Sequence, residues 1–406
     1  MTVTHIQNDQ HLLPLAGRAP LKIASGQGSF VFDTEGRRYL DAITGIGVNA
    51  LGYSHPRITA ALVDQASLCV HTSNLFQNSY QGALAERLCA MSGMDRAFFS
   101  NSGTEAVETA LKAVRAHGRA MHPDKIDLVA LHHGFHGRTF GSLAITGHST
   151  YRQPFEPLSP PVTFVEPNDF CGLQRAVNDN TGGIILEPVL GEGGIFPLEP
   201  DFLRLARKLA TRSGALLVAD EIQCGLGRIG RHFAYQESGI QPDIVVLAKP
   251  LGGGLPLGAT LFTTRAAAAL PPGSHGTTFG GGPLACRVAL EFLAELDGLL
   301  ANIQERGEQL LNGLLALRQR HSIIQEVRAK GLMIGIQLDR PGEPFVERAR
   351  DLGLLLNCTH ETVLRLLPPF TLTSEEAEQI IETLDRVMLV SYGDDAAPNH
   401  EGRAHS

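Results

Sequence analysis

Between residues 95 and 265, short apolar runs alternate with amphipathic stretches, and that alternation sets the expected architecture. The runs Ala97–Ser100, Leu128–Leu131, Val162–Val165, Gly183–Glu187, Ala215–Asp220 and Asp243–Ala248 are short and nearly free of polar residues. Such runs predict strands buried on both faces, and the amphipathic stretches between them predict covering helices, which together imply a mostly parallel sheet. After Ser102, for example, Ala106, Val107, Ala110, Leu111 and Val114 fall on one helical stripe. Upstream, Phe30, Phe32, Tyr39 and Leu40 around Asp33-Thr34-Glu35-Gly36 predict a hairpin over Ser29–Asp41, followed by helices near 56–69 and 79–92. Beyond Pro283 the spacing predicts helices over 283–296 and 300–320, strands near 332–338 and 362–366, and a final helix near 373–390. The expected fold class is α/β, with a large mostly parallel-sheet domain over 55–282 and a smaller α+β domain over 283–392. Residues 1–54 are expected to join the small domain, and 393–406 to form a polar tail.

Composition narrows the function classes. The 406 residues hold 34 Lys and Arg against 42 Asp and Glu, a formal charge of −8 with no basic run, which argues against nucleic-acid partners. No stretch approaches the roughly 18 apolar residues of a membrane span, and Met1–Gln10 has no apolar core of a secretion signal, so a cytoplasmic, soluble chain is expected. None of the 6 cysteines falls in a C-x-x-C or zinc-ligand spacing, which predicts reduced thiols. The 44 glycines cluster at 191–194, 225–230, 252–254 and 280–282, and such clusters bring backbone close to a ligand.

Five segments offer chemistry. Ser102-Gly103-Thr104-Glu105 opens a helix as a capping box, and the free N–H groups of that first turn also make an anion site. His132-His133-Gly134-Phe135-His136-Gly137-Arg138 places three histidines within five residues, yet the interleaved glycines argue against the helix that would align a metal pair. An aromatic ring and an arginine in such a loop suit a flat ligand and a carboxylate. Gly225-Leu226-Gly227-Arg228-Ile229-Gly230 matches G-x-G-x-x-G formally, but it lacks the long helix and downstream acid of a dinucleotide site. The run Asp243–Ala248 delivers Lys249 to the end of a strand, before Pro250-Leu251-Gly252-Gly253-Gly254; a lysine desolvated there is a good imine former. His275-Gly276-Thr277-Thr278-Phe279-Gly280 adds two hydroxyls in a glycine-rich loop.

Taken together, Asp220-Glu221-Ile222-Gln223, Lys249 with its glycine loop, and the Gly276-Thr277-Thr278-Phe279 loop resemble the class III aminotransferases of fold type I, from about Gly28 to Asp385. Within that family, Gly45-Ile46-Gly47-Val48-Asn49-Ala50-Leu51-Gly52, His71-Thr72-Ser73-Asn74-Leu75 and Phe135-His136-Gly137-Arg138-Thr139 are most similar to acetylornithine aminotransferases. The resemblance implies pyridoxal 5′-phosphate as cofactor, borne by the large domain. It makes Lys249 the imine-forming and proton-shuttling lysine, Asp220 the partner of the pyridinium nitrogen, Gln223 a contact of the phenolic oxygen and Phe135 the stacking ring. Gly103 and Thr104 would hold the phosphate, joined by Thr278 of the partner subunit in a homodimer with shared active sites. Arg138 would clamp a substrate carboxylate with Thr277 nearby also contacting acetylornithine, Arg365 would bind the α-carboxylate of glutamate, and Glu192 would pair with Arg365 when the ω-amine is bound; a purely structural salt bridge is the alternative for those last two. No metal site is expected.

The implied reaction moves the δ-amino group of N2-acetylornithine to 2-oxoglutarate, on the arginine biosynthetic route. Succinyl-diaminopimelate, succinylornithine, ornithine, 4-aminobutyrate or a carrier-bound lysine precursor are alternative amines, although ornithine enzymes tend to carry a tyrosine near the position of Gly45. An aminomutase or decarboxylase on the same scaffold is the rival chemistry. One departure stands out: many relatives have Gly-Gly-Asn-Pro where this chain has Gly281-Gly282-Pro283.

Overall fold

The computed structural model describes residues 11–13, 15, 17 and 19–389. The tail expected over 393–406 lies outside those residues, as does Met1–Gln10. At the centre is a seven-stranded sheet in the order Arg96–Ser100, Gly258–Phe262, Ile244–Leu247, Leu216–Asp220, Thr181–Leu186, Asp127–Leu131, Val162–Val165. All of these strands run the same way except Gly258–Phe262, which is antiparallel to both its neighbours. The apolar runs are continuous because both sheet faces are covered. Leu216 and Val218 pack with Ala106, Val107 and Ala110 of the helix Gly103–Met121, while Leu217 packs with Phe202, Leu203 and Ala206 of Pro200–Ser213. The antiparallel strand was missed because Gly-Ala-Thr-Leu-Phe carries one strong β-former before its last residue and follows a proline turn; its full burial comes from its neighbours.

A four-stranded antiparallel sheet follows, in the order Ile324–Lys330, Met333–Leu338, Val363–Leu366, Asn357–Thr359. Ile324–Lys330 also escaped the hydrophobic pattern, since Ile324 is its only fully buried residue. The N-terminal strands Ile23–Gln27, Phe30–Asp33 and Arg38–Asp41 form a separate sheet completed by Leu354–Leu355, which runs parallel to Arg38–Asp41.

The two helices expected after Pro283 are one, Pro283–Arg320, 38 residues long. Gly298 faces open space and costs the helix only ~1 kcal/mol. Against that, Leu293, Leu296, Ile303, Leu310, Leu314 and Leu317 are buried along one face at about 1.5–3 kcal/mol each, so the helix runs through. Gly282 is its N-cap, without a side-chain bond, and Pro283 occupies the first turn. Where relatives carry asparagine, glycine at the N-cap costs only a few tenths of a kcal/mol. No helix among the described residues is long and apolar enough to cross a membrane. All six cysteines are free thiols.

Candidate active site

Because all but one of the central strands share a direction, their carboxyl ends lie along one edge of the sheet, and ligand sites of open α/β sheets form at such an edge. Asp220 ends its strand, Glu187 follows Leu186 directly, and Lys249 stands two residues beyond Leu247. They share a cavity of about 480 Å³ whose walls also include Gly103, Thr104, Phe135, Arg138, Glu192 and Gln223.

Lys249 has φ 29°, a left-handed backbone for a non-glycine residue, and strain of this kind persists where the surroundings impose it. Burial pushes its ammonium pKa down, against the opposing pull of Glu192. Asp220 is 2 % exposed and bonds its Oδ2 to His136 Nδ1 at 2.7 Å, while Oδ1 accepts from the Ile222 N–H at 3.1 Å. Burial opposes charge on His136, but the hydrogen bond and charge of Asp220, with Glu187 behind them, raise its pKa. The Asp220 carboxylate is thereby held at the cavity wall, backed by an imidazole.

Ser102 caps the helix Gly103–Met121, accepting from the Glu105 N–H at 3.3 Å. The capping box expected there is only half formed: Glu105 takes the N–H of Asn101 at 2.6 Å in place of that of Ser102. At Gly103 an added Cβ would lie 2.8 Å from Ile222 Cδ1, so a larger residue would have to displace that side chain. Thr104 Oγ1 joins a hydroxyl cluster with Ser142 Oγ at 2.6 Å and Thr139 Oγ1 at 2.9 Å, so the anion donors here are the first backbone N–H groups. Gly137, at φ 136°, admits that cluster, since a Cβ would fall 2.3 Å from Thr104 Oγ1.

Arg138 lies over the Tyr151 ring at 3.7 Å and near Phe135 at 5.5 Å, with no carboxylate partner among the described residues. Arg365, 1 % exposed, pairs through Nη1 with Glu192 Oε1 at 2.5 Å and reaches Gln223 Oε1 at 3.3 Å. Burial alone would raise the Glu192 pKa, but the Arg365 charge and hydrogen bond hold it below the usual value. Thr277 and Thr278 do not line this cavity. Thr277 Oγ1 accepts from Asn101 Nδ2 at 3.3 Å, and Thr278 is exposed on the surface.

The three clustered histidines diverge. His136 turns to Asp220, His132 Nε2 stands 4.0 Å from Glu166, and His133 Nδ1 meets His360 Nε2 at 3.3 Å. Among the described residues, no group of three or more His, Cys, Asp or Glu is arranged to hold a metal ion. The G-x-G-x-x-G run is followed by a short 3-10 turn, Ala234–Ser238, in place of a long helix. Its Arg228 is buried over Phe370 and donates to Pro368 O at 2.5 Å, so this loop joins distant parts of the chain. Sequence reasoning missed His136 as the partner of Asp220, and Glu187 altogether; the signal for the first lay in the Phe135-His136-Gly137-Arg138 run, weighed only for metal and stacking.

A buried amine, a buried carboxylate, an aromatic ring and a helix N-terminus around one cavity fit pyridoxal phosphate group by group. Residues 15–388 match the class-III aminotransferase family. The chain belongs to that family. It is a pyridoxal-phosphate-dependent transaminase. Its relatives include an acetylornithine aminotransferase 1 of Bordetella bronchiseptica, 45% identical over 92% of this chain and 96% of that one. Among solved structures, the ornithine aminotransferase of Toxoplasma gondii aligns with a TM-score of 0.90 at 31% identity, covering 94% of this chain and 93% of that one. The N-acetylornithine aminotransferase of Stenotrophomonas maltophilia aligns with a TM-score of 0.80 at 33% identity, covering 91% and 96%.

Proposed function

We propose that this transaminase takes the δ-amino group of N2-acetylornithine and gives it to 2-oxoglutarate, yielding N-acetylglutamate 5-semialdehyde and glutamate for arginine biosynthesis. Two arginines in different states carry this reading. Arg138 faces the cavity without a carboxylate partner among the described residues, whereas Arg365 is neutralised by Glu192. A ping-pong transaminase must accept an amine and a diacid whose carboxylates sit at different distances from the reacting nitrogen, and one permanent and one switchable cation meet that demand. The acetylornithine enzymes among its relatives supply the choice of amine.

Pyridoxal phosphate, when bound, supplies the electron sink for amino exchange. The protein does the rest. Lys249, its ammonium destabilised by burial, would take the proton from Cδ of the amino donor and pass it on to the cofactor. Asp220, oriented by His136, would face the ring nitrogen, Gln223 would meet the phenolic oxygen, and Phe135 would pack on the ring face. Gly103 and Thr104 offer backbone N–H groups to the phosphate, with Thr278 of the partner subunit completing the cradle. Arg138 clamps the α-carboxylate of acetylornithine, with Thr277 close behind through Asn101; Glu192 masks Arg365 until the diacid enters.

In this reading residues 55–282 bear the cofactor, and 1–54 and 283–392 form the small domain. The reading places the enzyme in the cytoplasm as a homodimer; the dimer is supported by the exposed apolar side chains Leu68, Val70, Leu75, Phe76 and Phe279, the last adjoining Thr278. Ornithine is the second reading, favoured by the likeness to the Toxoplasma enzyme. The cavity wall near Gly45 is Val48, and no tyrosine stands in Gly45–Asn49 to narrow it. The deciding experiment mixes cofactor-loaded protein with each amine, without keto acid, and follows the visible band. N2-acetylornithine should convert it with a kcat/KM at least about tenfold above ornithine, a difference of ~1.4 kcal/mol; faster conversion by ornithine would overturn the assignment.

A further inference from the structure

Glu187 has no part in the chemistry above, yet it is among the most constrained side chains of the site. It is 5 % exposed, follows the strand Thr181–Leu186 and lines the cavity. Its Oε1 accepts the Phe135 N–H at 2.8 Å and its Oε2 accepts the Gly191 N–H at 3.0 Å. One carboxylate therefore ties together two loops: the first carries the stacking ring and then His136, and the second leads straight into Glu192. The second loop runs close against Gln223, since a Cβ at Gly191 would lie 2.4 Å from that side chain. Beyond the clasp, His136 binds Asp220 through Nδ1, while its Nε2 is buried without a hydrogen-bond partner.

We propose that Glu187 is a positioning residue of the transaminase: it holds the stacking wall and the turn of the gating acid in one clasp, and its charge supports a protonated His136 behind Asp220. The proposal rests on the cofactor-binding reading of this cavity, but not on the identity of the amine. The groups facing Glu187 are His136, Asp220, Lys249 and Cys224. Burial pushes its pKa up to about 7, His136 opposing and Asp220 adding to the rise. The clasp thus tightens as pH rises through neutrality: an ionised carboxylate accepts both N–H groups strongly and favours a proton on His136, and a neutral one does neither well.

The test uses the full chain with Glu187→Gln. In the cofactor-free protein, the NMR titration of His136 should move at least about one pH unit lower in the variant, a tenfold change in proton affinity. In wild type, the dissociation constant for pyridoxal phosphate, measured from about pH 6 to pH 8, should fall several-fold around neutrality, and the variant should be flat. An unmoved His136 titration together with an unchanged pH profile of cofactor affinity would overturn the proposal. If Glu187→Gln does not fold, Glu187→Asp decides: a shorter carboxylate that cannot span both N–H groups must weaken cofactor binding about tenfold while keeping the pH step, and wild-type affinity refutes the clasp. Neither readout involves an amino donor, so failure here and failure of the acetylornithine reading are distinguishable.

Discussion

Replacing Glu192 by glutamine removes one charge from the gate while changing almost nothing in its shape. In the native protein a guanidinium that is 1 % exposed meets a carboxylate at 2.5 Å, with Gln223 Oε1 at 3.3 Å and Asn357 Oδ1 at 3.1 Å as its remaining acceptors. A hydrogen bond to a charged group contributes about 1.5–3 kcal/mol and a neutral one about 0.5–1.5, so the amide weakens the pair by ~1–2 kcal/mol. Complete loss of the partner would cost more, but the amide oxygen still accepts from Nη1. Arg365 must leave Glu192 before it can clamp the diacid, so that saving appears in the 2-oxoglutarate half-reaction as a roughly 5–30-fold lower KM. The N2-acetylornithine half-reaction, anchored by Arg138, should gain nothing, and it should lose selectivity against glutamate by a similar factor. Stopped-flow measurement of each half-reaction separately reads the two KM values. Equal changes in both, or a KM for 2-oxoglutarate within twofold of wild type, would show that the pair is only a structural salt bridge.

Asp220→Asn should still bind cofactor but lower kcat by roughly 10²–10³-fold, because the amide cannot hold the charge that His136 backs; loss of cofactor binding with unchanged intrinsic rate would contradict this, read by absorbance titration and single turnovers. Leu310→Ala, at a site with 0% exposure on the long helix, should destabilise the protein by about 2–5 kcal/mol, seen as a lower denaturant midpoint with an unchanged slope. Glu221 is buried and accepts the Tyr235 and Ala234 N–H groups at 2.8 and 3.0 Å, and burial raises its pKa from 4.5 to about 7. Its folded form holds the proton more tightly than the unfolded one, so stability is greatest below the unfolded value and falls as pH rises from 4.5 to about 7, by at most ~3 kcal/mol. Thermal midpoints of the cofactor-free protein should therefore decline across that window, and Glu221→Gln should reduce the slope without abolishing it, since Glu187 titrates in the same range.

Local pattern along the chain is enough for part of this architecture. Near-continuous apolar runs between amphipathic stretches specify buried parallel strands, because only a sheet covered on both faces keeps such runs dry. The position of Lys249 after one of those strands, and of Asp220 at the end of another, follows from the same pattern, as does Ser102 as a helix cap. Tertiary structure decided what depends on neighbours distant in the chain. Gly258–Phe262 became a strand only because it is wedged between two others, and Gly298 stayed helical because the apolar face on either side of it is buried as one surface. The pairings of His136 with Asp220, Arg365 with Glu192, and Glu187 with the Phe135 and Gly191 backbones join residues on different strands and loops. No periodicity encodes them, since each forms only when the strand ends are brought to one edge of the sheet and water is excluded from the charges that meet there.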